Sequence, residues 1–365
     1  MPEFSYPGVY VQEFGGGIAG IAPCATSVTV FVGHVPMGGV PEGELVDLSV
    51  NSFPPPDYQD WPDGVLKRAV TGFYQNGGAD LFVLNIGPDV DVITDQVLLP
   101  LTQVDHPNLV AAPGYVDAAS HKALIAHCEG RSNRFAVLDG PAEIADASAL
   151  QKEPLAASGK AALYLPWVVP KDTQGTLFDP TPPSGHICGA IARTDQQRGV
   201  WQAPANVGLW GVGAVTQDLT DEDQEGLNAA NVNAIREIEG RGVRIWGART
   251  RAPEGHEMRY ISERRLMCML EQSLKRGLDW VVFDPNGAAL WVDVRQQVDT
   301  FMNALWRSGA LVGETVEQSF FVRCGHETMS QADLDQGRLI CEVGISMLRP
   351  AEFSMLRLEF QTAIE

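Results

Sequence analysis

Ser184, His186 and Asp139 are the residues of this chain whose types match a nucleophilic triad. A serine hydrolase needs a base within hydrogen-bond reach of the serine hydroxyl and an acid that orients that base. Ser184 and His186 stand two residues apart, and no Gly-x-Ser-x-Gly elbow surrounds the serine. The sequence therefore favours a structural segment, a loop that enters a helix at 187–198, over an α/β hydrolase that uses these three residues.

Metal ligands and phosphate-binding loops give weaker signals. The candidate ligands stand at no established spacing for three or four ligands; they are His121 with His127 and Cys128, His186 with Cys188, and Cys324 with His326. A nominal dinucleotide fingerprint, Gly15-x-Gly17-x-x-Gly20, is followed by Pro23 and no amphipathic helix, so we interpret it as a flexible tether. We expect no metal, no cofactor and no catalysis.

The composition limits the class of protein. The chain has 365 residues, of which 45% are hydrophobic, enough for two or three domains with a sizeable core. Its 26 basic and 46 acidic residues give a net charge of −20, which opposes nucleic-acid binding and leaves a monomeric acidic binding protein as an alternative. Six scattered cysteines without a Cys-x-x-Cys pair indicate reduced thiols of a protein made in a cytoplasm.

The hydrophobic pattern predicts the elements that would position these residues. Between about 96 and 250, buried strands alternate with helices, which predicts a mostly parallel, doubly wound layer. Strands are expected at 27–33, 81–87, 109–112, 134–140, 161–167, 279–283, 338–348 and 354–361. Helices are expected at 64–76, before Gly130, near 141–151, at about 257–276 and from Leu290 to Leu305.

Several long stretches of the chain resemble contractile tail sheath proteins. The longest are 183–195 (PSGHICGAIARTD) and 198–206 (RGVWQAPAN). The others are 6–13, 76–78, 242–250, 280–286, 305–311 and 349–353. The resemblance covers nearly the whole chain, with Cys324-Gly325-His326 as a departure from the expected polar or acidic turn. The short length, without large inserted outer domains, is more similar to a tailocin or extracellular injection system than to a large phage tail.

The resemblance implies an α/β chain, α+β overall, with a doubly wound subtilisin-like middle domain that has no catalytic triad. It also implies a sheath core domain built from the N- and C-terminal segments, with extended terminal β arms. The expected divisions are an N-terminal linking arm at 1–20, the first part of the core at 21–95, the middle domain at 96–250, a C-terminal sheath domain at 251–352 and a linking strand at 353–365.

The implied function is mechanical. Copies are expected to assemble in the bacterial cytoplasm into stacked hexameric rings, a helical homopolymer around an inner tube, in a phage tail or in a tail-like injection particle released outside the cell. The polymer would contract and drive the tube through a target envelope. The implied partners are further copies, the inner tube protein, baseplate and cap or terminator proteins, and paralogous sheath proteins. Nucleic acid and direct membrane insertion are not expected.

The resemblance also implies two linking arms and one tube-facing turn. The N-terminal arm consists of Tyr6, Pro7, Gly8, Val9, Tyr10, Val11, Gln12 and Glu13. Leu356, Leu358 and Phe360 belong to the C-terminal strand, and both arms are expected to pair with neighbouring copies and to add little to the chain's own core. The turn would contact the inner tube through Ser330, Asp333, Asp335 and Arg338, with a solvated helix end as the alternative.

Overall fold

A computed structural model describes residues 20–36, 40–50, 58–347 and 354–362. The strands are β1 Thr29–Gly33, β2 Leu45–Asp47, β3 Leu81–Asn85, β4 Leu109–Ala111, β5 Phe135–Asp139, β6 Ala161–Leu165, β7 Val168–Pro170, β8 Val207–Gly208, β9 Val212–Val215, β10 Asn233–Ile238, β11 Gly242–Trp246, β12 Phe320–Cys324, β13 Arg338–Ile345 and β14 Ser354–Gln361. The α-helices are α1 Val65–Gln75, α2 Ala118–Glu129, α3 Ser184–Arg198, α4 Asp221–Ala229, α5 Ile261–Gly277, α6 Ala288–Arg307, α7 Val316–Ser319 and α8 Gln331–Asp335. None of these helices is long and apolar enough to cross a membrane.

A nine-stranded sheet organises the larger part of the described chain. Its strand order is β2-β3-β1-β4-β5-β6-β10-β11-β8. The six central strands run parallel, whereas β2, β11 and β8 pair antiparallel at the edges. The residues of β1, β5 and β6 are all buried, which is typical of parallel strands with helices on both faces. Helices α1 and α3 pack on one face and α2 and α4 on the other, which confirms the predicted α/β layer.

Helix α3 is the most buried helix of this sheet domain, because α1 approaches it at backbone distance. All residues from Ser184 to Thr194 are buried. A Cβ atom at Gly185 would lie 2.3 Å from the carbonyl oxygen of Ala69, and one at Gly189 would lie 2.3 Å from that of Phe73. Only glycine allows this contact between the two helices.

The C-terminal part has a separate hydrophobic core. Helices α5 and α6 pack there with the antiparallel sheet β12-β13-β14. The α6 side chains that enter this core include Leu290, Val294, Val298, Phe301 and Leu305, the set whose spacing predicts the helix.

Three expectations from the sequence differ from the structure. Asp279–Phe283 is a 3₁₀ helix and not a strand: Val281 is its buried residue and Phe283 is 81% exposed. The helix expected near 141–151 is a shorter 3₁₀ helix, Ala147–Lys152. Helix α3 begins at Ser184, so the loop expected before 187 is already helical. A short apolar run fits a strand or a helix equally well, and tertiary contacts decide between them.

The sheet also changes the expected grouping of the chain. Strand β1 pairs with β3 on one side and with β4 on the other. The strands of 21–95 therefore share one sheet with those of 96–250, whereas the resemblance implied a core that joins 21–95 to the C-terminal segment. The reason is that sheet pairing joins residues far apart in sequence, and the local hydrophobic pattern does not specify it.

Candidate functional site

Asp139 binds the beginning of α3. It is the last residue of β5, and its carboxylate accepts hydrogen bonds from the backbone N–H and the hydroxyl of Ser184, both at 2.7 Å, and from the N–H of Gly114 at 3.2 Å. The first N–H groups of a buried helix have no partner inside the helix, and a carboxylate satisfies them favourably. Burial raises the pKa of Asp139 to about 6, although these hydrogen bonds oppose the rise.

His186 lies apart from this pair. Its ring packs against α1, where a Cβ atom at Gly72 would come within 2.4 Å of it, and neither ring nitrogen has a hydrogen-bond partner in the described part of the chain. Burial lowers the pKa of His186 to about 4, so the ring is neutral at pH 7. The structure therefore brings Ser184 and Asp139 together but not in the order of a triad, because no imidazole of His186 stands between them. All three side chains are at most 1% exposed, which closes them to a substrate.

The candidate metal ligands have other contacts. His121 lies 3.1 Å from both Glu153 and the carbonyl oxygen of Asp139, and His127 contacts the guanidinium group of Arg134. The ring of His326 packs edge-on against that of Trp291, with 4.8 Å between the ring centroids. Within the part of the chain that the structure describes, no group of three or more His, Cys, Asp or Glu side chains could hold a metal ion.

Strand β14 is an edge strand of the C-terminal sheet. It pairs antiparallel with β13 along its whole length, and its other edge has no strand partner among the described residues. Leu356 and Leu358 are buried in the C-terminal core, and Phe360 packs against it. The predicted alternation is confirmed, but the expectation that this strand adds little to the chain's own core is wrong, because its apolar face completes that core. The N-terminal arm at 6–13 lies outside the described residues.

The turn between β12 and β13 contains the predicted tube contacts. Ser330 and Asp333 form a capping box at the start of α8, and Arg338 makes an ion pair with Asp333. Asp335 is exposed and accepts a hydrogen bond from Gln331 at 2.8 Å. The structure thus brings the four predicted residues into one turn, where three of them, Ser330, Asp333 and Arg338, already serve its local structure.

A buried ion pair links the sheet domain to the C-terminal part. Arg265 of α5 donates to both carboxylate oxygens of Asp195 near the end of α3 and to the carbonyl oxygen of Thr26. The Thr26 hydroxyl donates to the same carboxylate. No local pattern in the sequence indicates this pair, because Asp195 ends the motif 183–195 and its partner lies 70 residues away.

Comparison with known proteins assigns the family. Residues 98–251 match the model of the phage tail sheath protein central domain, and residues 254–361 match that of the phage tail sheath C-terminal domain. The helical sheath of the anti-feeding prophage (AFP) in its contracted state is 32% identical in sequence, with a TM-score of 0.78 over 97% of this chain and 99% of that one. This chain belongs to the contractile tail sheath family.

Two further relatives support the assignment of this sheath chain. The PVC sheath of an extracellular contractile injection system, in its contracted state, is 28% identical with a TM-score of 0.76, over 98% of both chains. The tail sheath protein of Burkholderia phage BcepMu is 30% identical over 164 residues, which are 43% of this chain and 34% of that protein. The match therefore spans about a third of the length of that phage relative.

The family assignment confirms the prediction made from the resemblance. The motif at 183–195, from which the resemblance was drawn, forms the buried helix α3. Its two glycines allow contact with α1, its serine binds Asp139, and its last residue binds Arg265. The motif in this sheath chain is therefore a packing and anchoring segment.

Proposed function

We propose that this chain is a structural sheath subunit that polymerises as stacked hexameric rings around an inner tube and contracts to drive the tube through a target envelope. The observation that carries the proposal is the similarity over 97% of the chain to a helical sheath in its contracted state. The particle would be a phage tail or an extracellular injection system, assembled in a bacterial cytoplasm. Its partners would be the inner tube, the baseplate, a cap or terminator protein and paralogous sheath subunits.

The energy for contraction would be stored during assembly and would not come from nucleotide hydrolysis. An extended lattice that is kinetically trapped can shorten when its subunits rotate into an arrangement with more contact area. This mechanism requires no nucleotide-binding cavity. We therefore propose that the nominal dinucleotide fingerprint is a tether. The baseplate would release the trapped state.

The subunits would remain connected during rotation through added β-strands. Strand addition uses main-chain hydrogen bonds, which do not depend on a particular side-chain fit. The edge of β14 that has no strand partner among the described residues offers such a template, and 6–13 is the segment of this chain that would add to a neighbouring copy. We also propose that β14 exchanges between copies, because it is joined to β13 only through residues 346–353 and an identical strand from a neighbour would fill the same place.

The turn at 330–338 is proposed to face the inner tube. Asp335 would offer its carboxylate to basic groups there, since it is exposed and, among the described residues, accepts a hydrogen bond from Gln331 alone. Ser330, Asp333 and Arg338 would instead hold the turn in shape through the capping box and the ion pair.

We propose further that the chain is not an enzyme and that its sheet domain is a subtilisin-like fold without a triad. The support is the burial of Ser184 and the direct bond from its hydroxyl to Asp139, which leaves no base in the place that a hydrolase requires. Neither a hydrolase nor a monomeric acidic binding protein explains the similarity to a helical sheath over nearly the whole chain.

A pelleting assay tests the proposed function. Purified chain is incubated in moderate salt and centrifuged at high speed, together with the Val11→Pro variant, in which proline removes a main-chain donor from the arm. If the chain polymerises through this arm, the parent chain is found in the pellet. The Val11→Pro variant remains folded and stays in the supernatant. Monomeric parent chain under all salt conditions would contradict the proposal.

A further inference from the structure

Cys324 and Cys341 lie directly opposite each other in the ladder between β12 and β13. Both are free thiols, and both side chains are 0% exposed. The side chain of Cys341 faces that of Cys324 across the ladder, and interaction with Cys324 together with burial raises the pKa of Cys341. The two sulfur atoms are therefore neighbours inside the C-terminal core.

The ladder pattern shows which kind of pair they form. The backbone N–H of Ser346 donates to the carbonyl oxygen of Ser319 at 2.8 Å, which marks these two residues as a hydrogen-bonded pair. Hydrogen-bonded and non-hydrogen-bonded pairs alternate along an antiparallel ladder, so Cys324 and Cys341, five positions further, form a non-hydrogen-bonded pair. Such pairs have Cα atoms about 4.5 Å apart, within the range of roughly 4.4 to 6.8 Å that a disulfide spans.

We propose that Cys324 and Cys341 are an oxidative modification site, at which a low-molecular-weight disulfide such as oxidised glutathione converts the pair into an internal disulfide. One cysteine, as its thiolate, attacks a glutathione sulfur and releases one glutathione thiol, leaving a mixed disulfide on the protein. The second cysteine then attacks the protein sulfur of that mixed disulfide and releases the second glutathione. Two protein thiols are oxidised and one glutathione disulfide is reduced to two thiols.

Access to the pair requires local opening at one end of the hairpin. Gly325 follows Cys324 directly, and the next side chains, His326 and Glu327, are exposed, so the pair lies at the boundary between the core and the turn. Burial keeps both sulfur atoms away from solvent and slows attack in the closed state. The rate of oxidation is therefore limited by opening of this end, and the disulfide forms when the chain is held in an oxidising medium.

The disulfide would close the turn at its base. The two cysteines enclose residues 325–340, which include α8 and the residues from Ser330 to Arg338. A crosslink restricts the unfolded chain and the open forms of the turn, and we expect a rise in melting temperature of about 5 °C. An effect of the crosslinked turn on contact with the inner tube rests on the proposed function. Formation of the disulfide itself does not rest on it.

The test is oxidation of the purified full chain with oxidised glutathione in buffer and in urea below the unfolding transition, which increases opening. Free thiols are then blocked and peptides are analysed by mass spectrometry. The expected product is a crosslinked peptide pair containing Cys324 and Cys341, lighter than the two reduced peptides by two hydrogen atoms, which forms faster in urea. Free thiols at both positions after oxidation in urea, or a lasting glutathione adduct without a crosslink, would overturn the proposal.

Three variants provide the controls. Cys324→Ser and Cys341→Ser must each abolish the crosslink and leave a glutathione adduct on the remaining cysteine in urea. Cys188→Ser removes an equally buried thiol of α3 and must leave the crosslink unchanged. Where a serine variant does not fold, Cys324→Ala and Cys341→Ala replace it, with folding verified by circular dichroism. A crosslink that persists in either variant would assign the reaction to other cysteines.

Discussion

At the residue scale, the contact between Ser184 and Asp139 explains how residues whose types match a triad form a packing site. The serine hydroxyl and the first N–H of α3 both donate to one buried carboxylate, 45 residues earlier in the chain. The serine is thereby used to anchor a helix, and its neighbour His186 fills the space beside Gly72.

Ser184→Ala is expected to lower the free energy of unfolding by about 1 kcal/mol, because it removes one side-chain hydrogen bond while the backbone donor of residue 184 remains. Urea unfolding measures the change. Sedimentation and esterase assays of parent and variant provide the functional comparison. We expect equal polymerisation and no turnover from either protein; turnover that the substitution abolishes would contradict the structural role.

The buried His186 predicts a loss of stability in acid. Its folded-state pKa of about 4 lies below the usual 6.5, so both states are neutral above pH 6.5 and only the unfolded state takes up a proton as the pH falls toward 4. The loss of unfolding free energy reaches about 3 kcal/mol near pH 4. Asp139 acts in the opposite direction, since its raised pKa means that the folded state holds a proton more tightly between about pH 4 and 6.

His186→Leu separates the two effects because it removes one titrating group at similar volume. We expect its melting temperature to fall less than that of the parent chain between pH 7 and pH 4.5. Thermal melts followed by circular dichroism at several pH values measure the difference. Parallel profiles for the two proteins would show that His186 does not titrate differently on folding.

At the element scale, the crossing of α1 and α3 depends on glycine. Gly189→Ala places a methyl group 2.3 Å from the Phe73 carbonyl oxygen, so the helices must separate. We expect a loss of roughly 1–3 kcal/mol or more in unfolding free energy. Gly64→Ala is the matched control, because no atom of the residues that the structure describes lies within 4 Å of the added carbon and its φ of 178° is extended. Equal stability of the two variants would contradict the close approach.

The two ends of the chain are expected to behave differently when they are removed. Deletion of 354–365 exposes the core around β13, since Leu356 and Leu358 are buried there, and we expect a clear fall in melting temperature. Deletion of 1–14 is expected to leave the melting temperature unchanged but to abolish tubes, as is proline at Val9 or Val11. Melting and microscopy on the same preparations distinguish the outcomes. Normal tubes from the 1–14 deletion would refute its linking role.

The elements that the sequence predicts correctly are those with a strong local signal. The parallel strands are continuous apolar runs because both faces are covered, and α6 has five core residues at helical spacing. The contacts of the candidate site could not be predicted, because they join residues far apart in the sequence and leave no local pattern. These contacts are Asp139 with Ser184 and Asp195 with Arg265. The strand expected at Asp279–Phe283 was wrong because its four apolar residues are too few to show a period that distinguishes a strand from a helix.

At the scale of the whole molecule, charge opposes assembly. Each chain carries a net charge of −20, and a polymer brings many such chains together. The Debye length is about 30 Å at 0.01 M and about 10 Å at 0.1 M ionic strength, so added salt or divalent cations should promote polymerisation. Light scattering during a salt titration measures this effect. Scattering that increases as salt is removed would contradict it.

Negative-stain electron microscopy of the purified full chain shows whether the chain polymerises by itself. We expect long hollow tubes in side view, and rings with six repeated densities in end view. The Val9→Pro variant, examined at the same concentration and salt, should show only small separate particles. Small particles from the parent chain under all conditions of salt and concentration would contradict the claim that this chain is a sheath subunit that polymerises through its own contacts.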